Sequence, residues 1–188
     1  LSLVENMRMD GNAAFMRPYI QLALYLEPSA RGLFLLGDLT ADEEAWWEAA
    51  RYYEQVTGHN TYVREAQIRR AQMYERAGAL DEAEALFVRL VDQYSDNKAT
   101  KVAIADFYRR AERFEEAETF YIEILDMVAS DDQAYWGVHF SLGICRERLG
   151  RWAEAEKSLL IAKTLSRDEP LVLNYLGYSW IDKGIRLE

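Results

Sequence analysis

Small residues recur through this chain at a spacing of 34. Stepping back from Gly177 by 34 residues reaches Gly143, a step of 38 reaches Ala105, and two further steps of 34 reach Ala71 and Gly37. Twelve residues after Gly37, Ala71, Ala105 and Gly143 stand Ala49, Ala83, Ala117 and Ala155, and sixteen after stand Tyr53, Phe87, Tyr121 and Leu159. Trp46, Leu80, Phe114 and Trp152 follow at nine, while Tyr74, Tyr108 and Trp180 lie three after their own small residue. A small side chain on each of two helices lets the axes approach, and bulky groups fill the adjoining gap. The unit predicted is a pair of closely packed helices, repeated.

The corners between the paired helices are legible as well. "ERAGALDEAE", "RRAERFEEAE" and "ERLGRWAEAE" are three versions of one turn, with Gly78 and Gly150 at a helix end where left-handed backbone is favoured. Three prolines and ten glycines in 188 residues, with half the chain apolar, suit helices around a buried core rather than a turn-rich β-sandwich. The expected fold class is all-α.

This pattern resembles the tetratricopeptide repeat, whose period and small/aromatic signature it carries in register. The resemblance implies a right-handed superhelical solenoid of helical hairpins, with frames at 30–63, 64–97, 98–131 and 136–169. Segment 1–29 reads as the second helix of a degenerate repeat ending at Pro28, and 170–188 as the first helix of a truncated fifth. The chain is thus expected to be part of a longer tetratricopeptide protein. Asp132, Gln133, Ala134 and Tyr135 form a four-residue excess between the third and fourth frames, and Arg146 stands where an aromatic is usual. Proline inside a helix costs about 3 kcal/mol, so Pro18 predicts a kink or a helix that starts near Arg17.

Charge and composition exclude several functions. A net charge of −10 without a contiguous basic run repels nucleic-acid phosphates, so no nucleic acid is expected as partner. No run approaches the length and apolarity of a membrane span. Cys145, the sole cysteine, forms no internal disulfide, and the sequence leaves the oligomeric state open. His59, His139 and Cys145 are the candidates for catalysis. His59 sits in the loop-like "TGHN", and His139 and Cys145 lie six apart on different faces of one helix, so all three read as structural. No metal-ligand spacing or phosphate loop is present, and no metal or cofactor is expected. The acidic clusters "ADEE", "LDEAE" and "FEEAE" read as solvated first turns of second helices, favourable to the helix dipole.

The family resemblance further implies a concave groove lined by first-helix side chains that binds a protein or peptide. Its thirteenth first-helix position holds Arg76, Arg110 and Arg148, with Arg109 beside the second and Glu65, Gln72, Asp106 and Glu147 as nearby acceptors. Phe140, Ile144, Tyr175 and Tyr178 make the later groove more apolar. Guanidinium groups form bidentate bonds with carboxylates, which suits an acidic or C-terminal peptide segment. The closing "VLNYLGYSWIDKG" is similar to long bacterial tetratricopeptide proteins that include envelope lipoproteins delivering substrates to processing proteases. That likeness implies a non-enzymatic scaffold, an adaptor for an envelope protease, and slightly favours the periplasmic side of the envelope over the cytoplasm. The alternative is the substrate-recognition arm of a larger enzyme, such as a glycosyltransferase carrying these repeats.

Overall fold

The computed structural model describes residues 13–167 and 169–185; residues 1–12, expected to belong to the first degenerate repeat, and 186–188, expected to close the last helix, lie outside them. Among the described residues are ten α-helices, one 3-10 turn and no strand. They fall into two compact units that divide between Gln93 and Tyr94.

The first unit holds α1 (Ala13–Leu26), α2 (Ala30–Asp42), α3 (Trp46–Glu54), α4 (Tyr62–Arg76) and α5 (Leu80–Gln93). Helices α2 and α3 pack on each other, as do α4 and α5. The connections of three residues at 43–45 and 77–79 leave no room for anything but a reversal of direction. Ser29 starts α2 by accepting a hydrogen bond from the Gly32 amide at 3.1 Å. The repeat pattern then dictates packing: Ala49, Ala71 and Ala83 are fully buried, as are Tyr53 and Phe87. A Cβ built on Gly37 would lie 2.6 Å from the Tyr53 ring, so glycine is what lets α2 and α3 approach this closely.

Pro18 lies inside α1, which does not start near Arg17. The reason is packing across the proline. Met16 and Ile20, one turn apart on either side of it, are buried with Leu36, and Leu24 continues the stripe. Arg17 adds an ion pair to Glu43 and a 3.1 Å hydrogen bond to the buried Thr40 hydroxyl, which in turn donates to the Leu36 carbonyl at 2.7 Å.

The second unit holds α6 (Lys98–Arg110), α7 (Phe114–Asp126), the 3-10 turn Gln133–Tyr135, α8 (Trp136–Arg148), α9 (Trp152–Ser166) and α10 (Pro170–Asp182). Asn97 caps α6 by accepting from the Thr100 amide at 3.0 Å, and Pro170 occupies the first turn of α10, where its missing N–H is no loss. Hairpins α6–α7 and α8–α9 repeat the close contact: Ala105, Ala117 and Ala155 are fully buried, and a Cβ on Gly143 would meet Leu159 at 2.6 Å. At the corners, Gly78 (φ 78°) and Gly150 (φ 75°) take the left-handed conformation, as expected. Glu44 and Glu112 adopt it too, both at φ 59°, where a side chain is strained.

Two charged features depart from expectation. "ADEE" does not open a second helix: Asp42 ends α2 and Glu43 caps it, three residues before α3 begins. Glu118, the last residue of "FEEAE", is buried rather than solvated. Arg146, in the place of an aromatic, donates to it from Nε at 2.8 Å and to the Ser158 hydroxyl at 2.9 Å, and Arg151 pairs with its other oxygen. Burial alone would push the Glu118 carboxyl up. The hydrogen bonds from Arg146 and Arg151, with their charges, outweigh it and hold the group below its ordinary 4.5.

Candidate functional site

First helices carry the groove residues, and each unit collects its own. In the first unit Gln72 and Arg76 border a polar cavity of about 180 Å³ together with Asp38, Asp42, Arg69 and Met73. Glu65 does not line it; its carboxylate accepts from Arg69 one turn on, at 3.1 Å. Arg76 lies over the Trp46 ring at 5.0 Å, a cation–π contact within its own unit.

In the second unit, Asp106, Arg109, Phe140 and Ile144 converge on a cavity of about 570 Å³. Helix α6 supplies Val102, Asp106 and Arg109; α8 supplies Gly137, Phe140, Ser141 and Ile144. Ala134 and Tyr135 of the four-residue excess form another wall, and Leu171 of α10 borders it too. The excess is folded rather than loose: Asp132 accepts from the Ala134 amide at 3.0 Å, and the 3-10 turn leads straight into α8. At the polar end, Tyr121 donates to Asp106 at 2.5 Å, Arg109 Nε donates to the Tyr121 hydroxyl at 3.2 Å, and Arg109 stands 3.5 Å from Asp106. Burial and the Asp106 charge push the Tyr121 phenol well up, so it stays a proton donor.

Glu147, Arg148, Tyr175 and Tyr178 line a separate shallow cleft of about 630 Å³ between α8 and α10. Tyr175 packs edge-on against Phe140 at 5.4 Å and donates to Glu147 at 3.5 Å, while Arg148 and Lys183 stand 3.6 and 3.7 Å from the same carboxylate. Tyr178 and Arg110 are exposed, and Arg110 borders none of these cavities.

Asp38 and Arg69 were missed by sequence reasoning, as was the cavity wall at 134–137. A signal for the aspartates exists. The residue after each small position is Asp38, Gln72, Asp106 or Ile144, and fifteen further on stand Tyr53, Phe87, Tyr121 and Leu159. Aspartate occurs only where its partner is tyrosine, and both Tyr53–Asp38 (2.7 Å) and Tyr121–Asp106 are bonded. The wall carried only the mark of an insertion.

None of the candidates for catalysis lines these cavities, although the charges of Arg109 and Asp106 act on Cys145. His59 is exposed outside the helices. His139 is partly buried, and desolvation with the nearby Arg146 charge lowers its pKa. Cys145 is fully buried and its thiol is pushed up to about 12, mainly by that burial. Among the described residues no cluster suited to a metal ion occurs, and no helix is long and apolar enough to cross a membrane.

Comparison with known proteins places the fold. No curated protein matches the chain. Among solved structures, YrrB, described as "a TPR protein with an unusual peptide-binding site", is similar with a TM-score of 0.67 at 13% identity, covering 94% of this chain and 90% of its own. MamA is similar with a TM-score of 0.71 at 15% identity, covering 89% and 96%. A second MamA structure, MSR-1, is 22% identical with a TM-score of 0.61 over 90% and 88%. Family models of the tetratricopeptide repeat match residues 34–98 and 76–139. With its hairpins, its small-residue contacts and these matches together, the chain belongs to the tetratricopeptide-repeat family.

Proposed function

We propose that the protein is a non-enzymatic scaffold whose first-helix faces bind a protein or peptide segment. The observation that carries this reading is the 570 Å³ cavity, where four of the twelve predicted groove residues meet around an apolar wall with one charge-balanced polar end. Such concave, mostly apolar sites with few placed polar groups are what ligands occupy. Cys145, the sole cysteine, is fully buried, and its thiol is pushed up to about 12 mainly by that burial, so it stays protonated. YrrB supports the reading by analogy, being described as peptide-binding on the same fold.

In this reading Arg76, Arg110 and Arg148 contribute charge to a ligand's carboxylates, and all three are exposed at helix ends. The narrower role, adaptor for an envelope protease, is supported by the likeness of its closing segment alone. Its test is direct titration of a carboxyl-terminal processing protease into the purified chain, where an absent heat of binding counts against it. The general reading is tested by selecting peptides from a random twelve-residue display library on the chain. Calorimetry at low and high salt then compares wild type with R76Q/R110Q/R148Q. Weaker binding by the variant with an unchanged melting curve, and a smaller salt dependence, is expected. Failure to enrich any peptide would refute the reading.

A further inference from the structure

We infer that the cavity beside the 132–135 insertion is an anchor pocket for one bulky, uncharged apolar side chain of the bound peptide, and that the insertion sets this specificity. The inference rests on the peptide-binding reading above and goes beyond it by fixing the chemistry of the ligand.

The argument begins with charge. Among the described residues the charged groups lining the cavity are Asp106 and Arg109, 3.5 Å apart and bridged by the Tyr121 hydroxyl, so each is already compensated. An acidic or basic ligand side chain entering here would shed its water and meet no uncompensated partner. The remaining wall is mostly apolar, with Val102, Trp136, Phe140, Ile144 and Leu171 alongside Tyr135 and Ser141. Its complement is a leucine, isoleucine, phenylalanine or tryptophan side chain. The polar cavity of the first unit, about 180 Å³ among Asp38, Asp42, Arg69 and Arg76, offers no such wall.

The insertion supplies what the other frames lack. Ala134 and Tyr135 close one side, and the Asp132 cap fixes the turn that carries them. Gly137, one residue into α8, lines the cavity, and a Cβ there would meet nothing within 4 Å among the described residues, so the position has room for added bulk. No packing contact of the fold therefore calls for glycine at this position.

The test uses that glycine. Peptides selected on the wild-type chain are labelled and measured by fluorescence anisotropy against wild type, G137L and A134W. Both variants add bulk at the cavity, one in open space within a helix and one at an exposed position of the turn. The expected result is that the peptides share one bulky apolar residue, and that its replacement by alanine weakens binding by about tenfold or more. G137L and A134W should lose affinity by a similar factor, with melting temperatures no lower than wild type for at least one of them. The anchor is overturned if the peptides share no apolar residue, or if a normally melting G137L or A134W binds with unchanged Kd. It is also overturned if N-acetyl-tryptophanamide competes as strongly as a whole peptide, which would mark a small-molecule site. Loss of binding in R76Q/R110Q/R148Q but in neither cavity variant would sink the anchor and leave the peptide-binding reading standing. Enrichment of no peptide at all would sink both.

Discussion

Replacing Glu118 or Arg146 by methionine perturbs an ion network of the second unit that joins three helices, α7, α8 and α9. Glu118 has a side chain only 11% exposed and accepts from Arg146 at 2.8 Å. Removing one member of a buried pair costs about 3–5 kcal/mol when the other charge is stranded. Here stranding is incomplete. Arg146 keeps the Ser158 hydroxyl at 2.9 Å and Glu154 at 3.8 Å, and Arg151 keeps Glu154 at 3.5 Å. When Arg146 is removed instead, Glu118 keeps Arg151, so the expected loss for either single variant is about 2–3 kcal/mol, just below that range.

The double variant E118M/R146M removes both charges and refills their volume, so it should lie within about 1 kcal/mol of wild type. Urea denaturation followed by far-UV circular dichroism, fitted separately for any transition of each unit, reads all three. Acid gives a second reading. Because the Glu118 carboxyl titrates below its ordinary 4.5 in the folded state, its contribution is whole above that pH. It is lost as pH falls through the folded value, so the gap between wild type and E118M should narrow in that window. Additive single losses in the double variant, or a gap that does not narrow in acid, would refute the reasoning.

Other expectations follow from the close contacts and corners. G143A should destabilise by about 1–3 kcal/mol, because its Cβ would sit 2.6 Å from Leu159 and 3.3 Å from the Ala155 carbonyl. G177A, with nothing within 4 Å of its Cβ, should instead stabilise by about 0.5–1 kcal/mol, and thermal denaturation of the pair decides. E112G should raise stability by about 1 kcal/mol, since Glu112 holds φ 59° in the place where Gly78 and Gly150 turn other corners. An unchanged melting temperature would show that the corner is not strained.

What the sequence disclosed followed from periodicity. The small residues at 37, 71, 105 and 143 and their partners placed four hairpin contacts because close packing leaves few residue types able to fill them. Of the two readings of Pro18, a kink or a helix starting near Arg17, the second fails because the penalty for proline is local, whereas the compensation from Met16 and Ile20 on Leu36 is tertiary. Glu118 looked like its neighbours Glu115 and Glu116 because charge in a first turn is normally solvated. Arg146 and Arg151, 28 and 33 residues on, change its environment. The cavity was half legible. Asp106, Arg109, Phe140 and Ile144 came from first-helix register, while its fourth side depended on how an insertion folds, which register does not encode.

The most direct test of the central claim is where a ligand touches the chain. Amide chemical shifts of the full chain, assigned and followed while a display-selected peptide is titrated in, give that map. Binding on first-helix faces predicts the largest shifts at α6, α8 and the 133–135 turn, centred on Val102, Asp106, Ser141 and Ile144. Shifts centred instead on exposed second-helix positions such as Glu115, Thr119, Ile122 and Ile161 would contradict it.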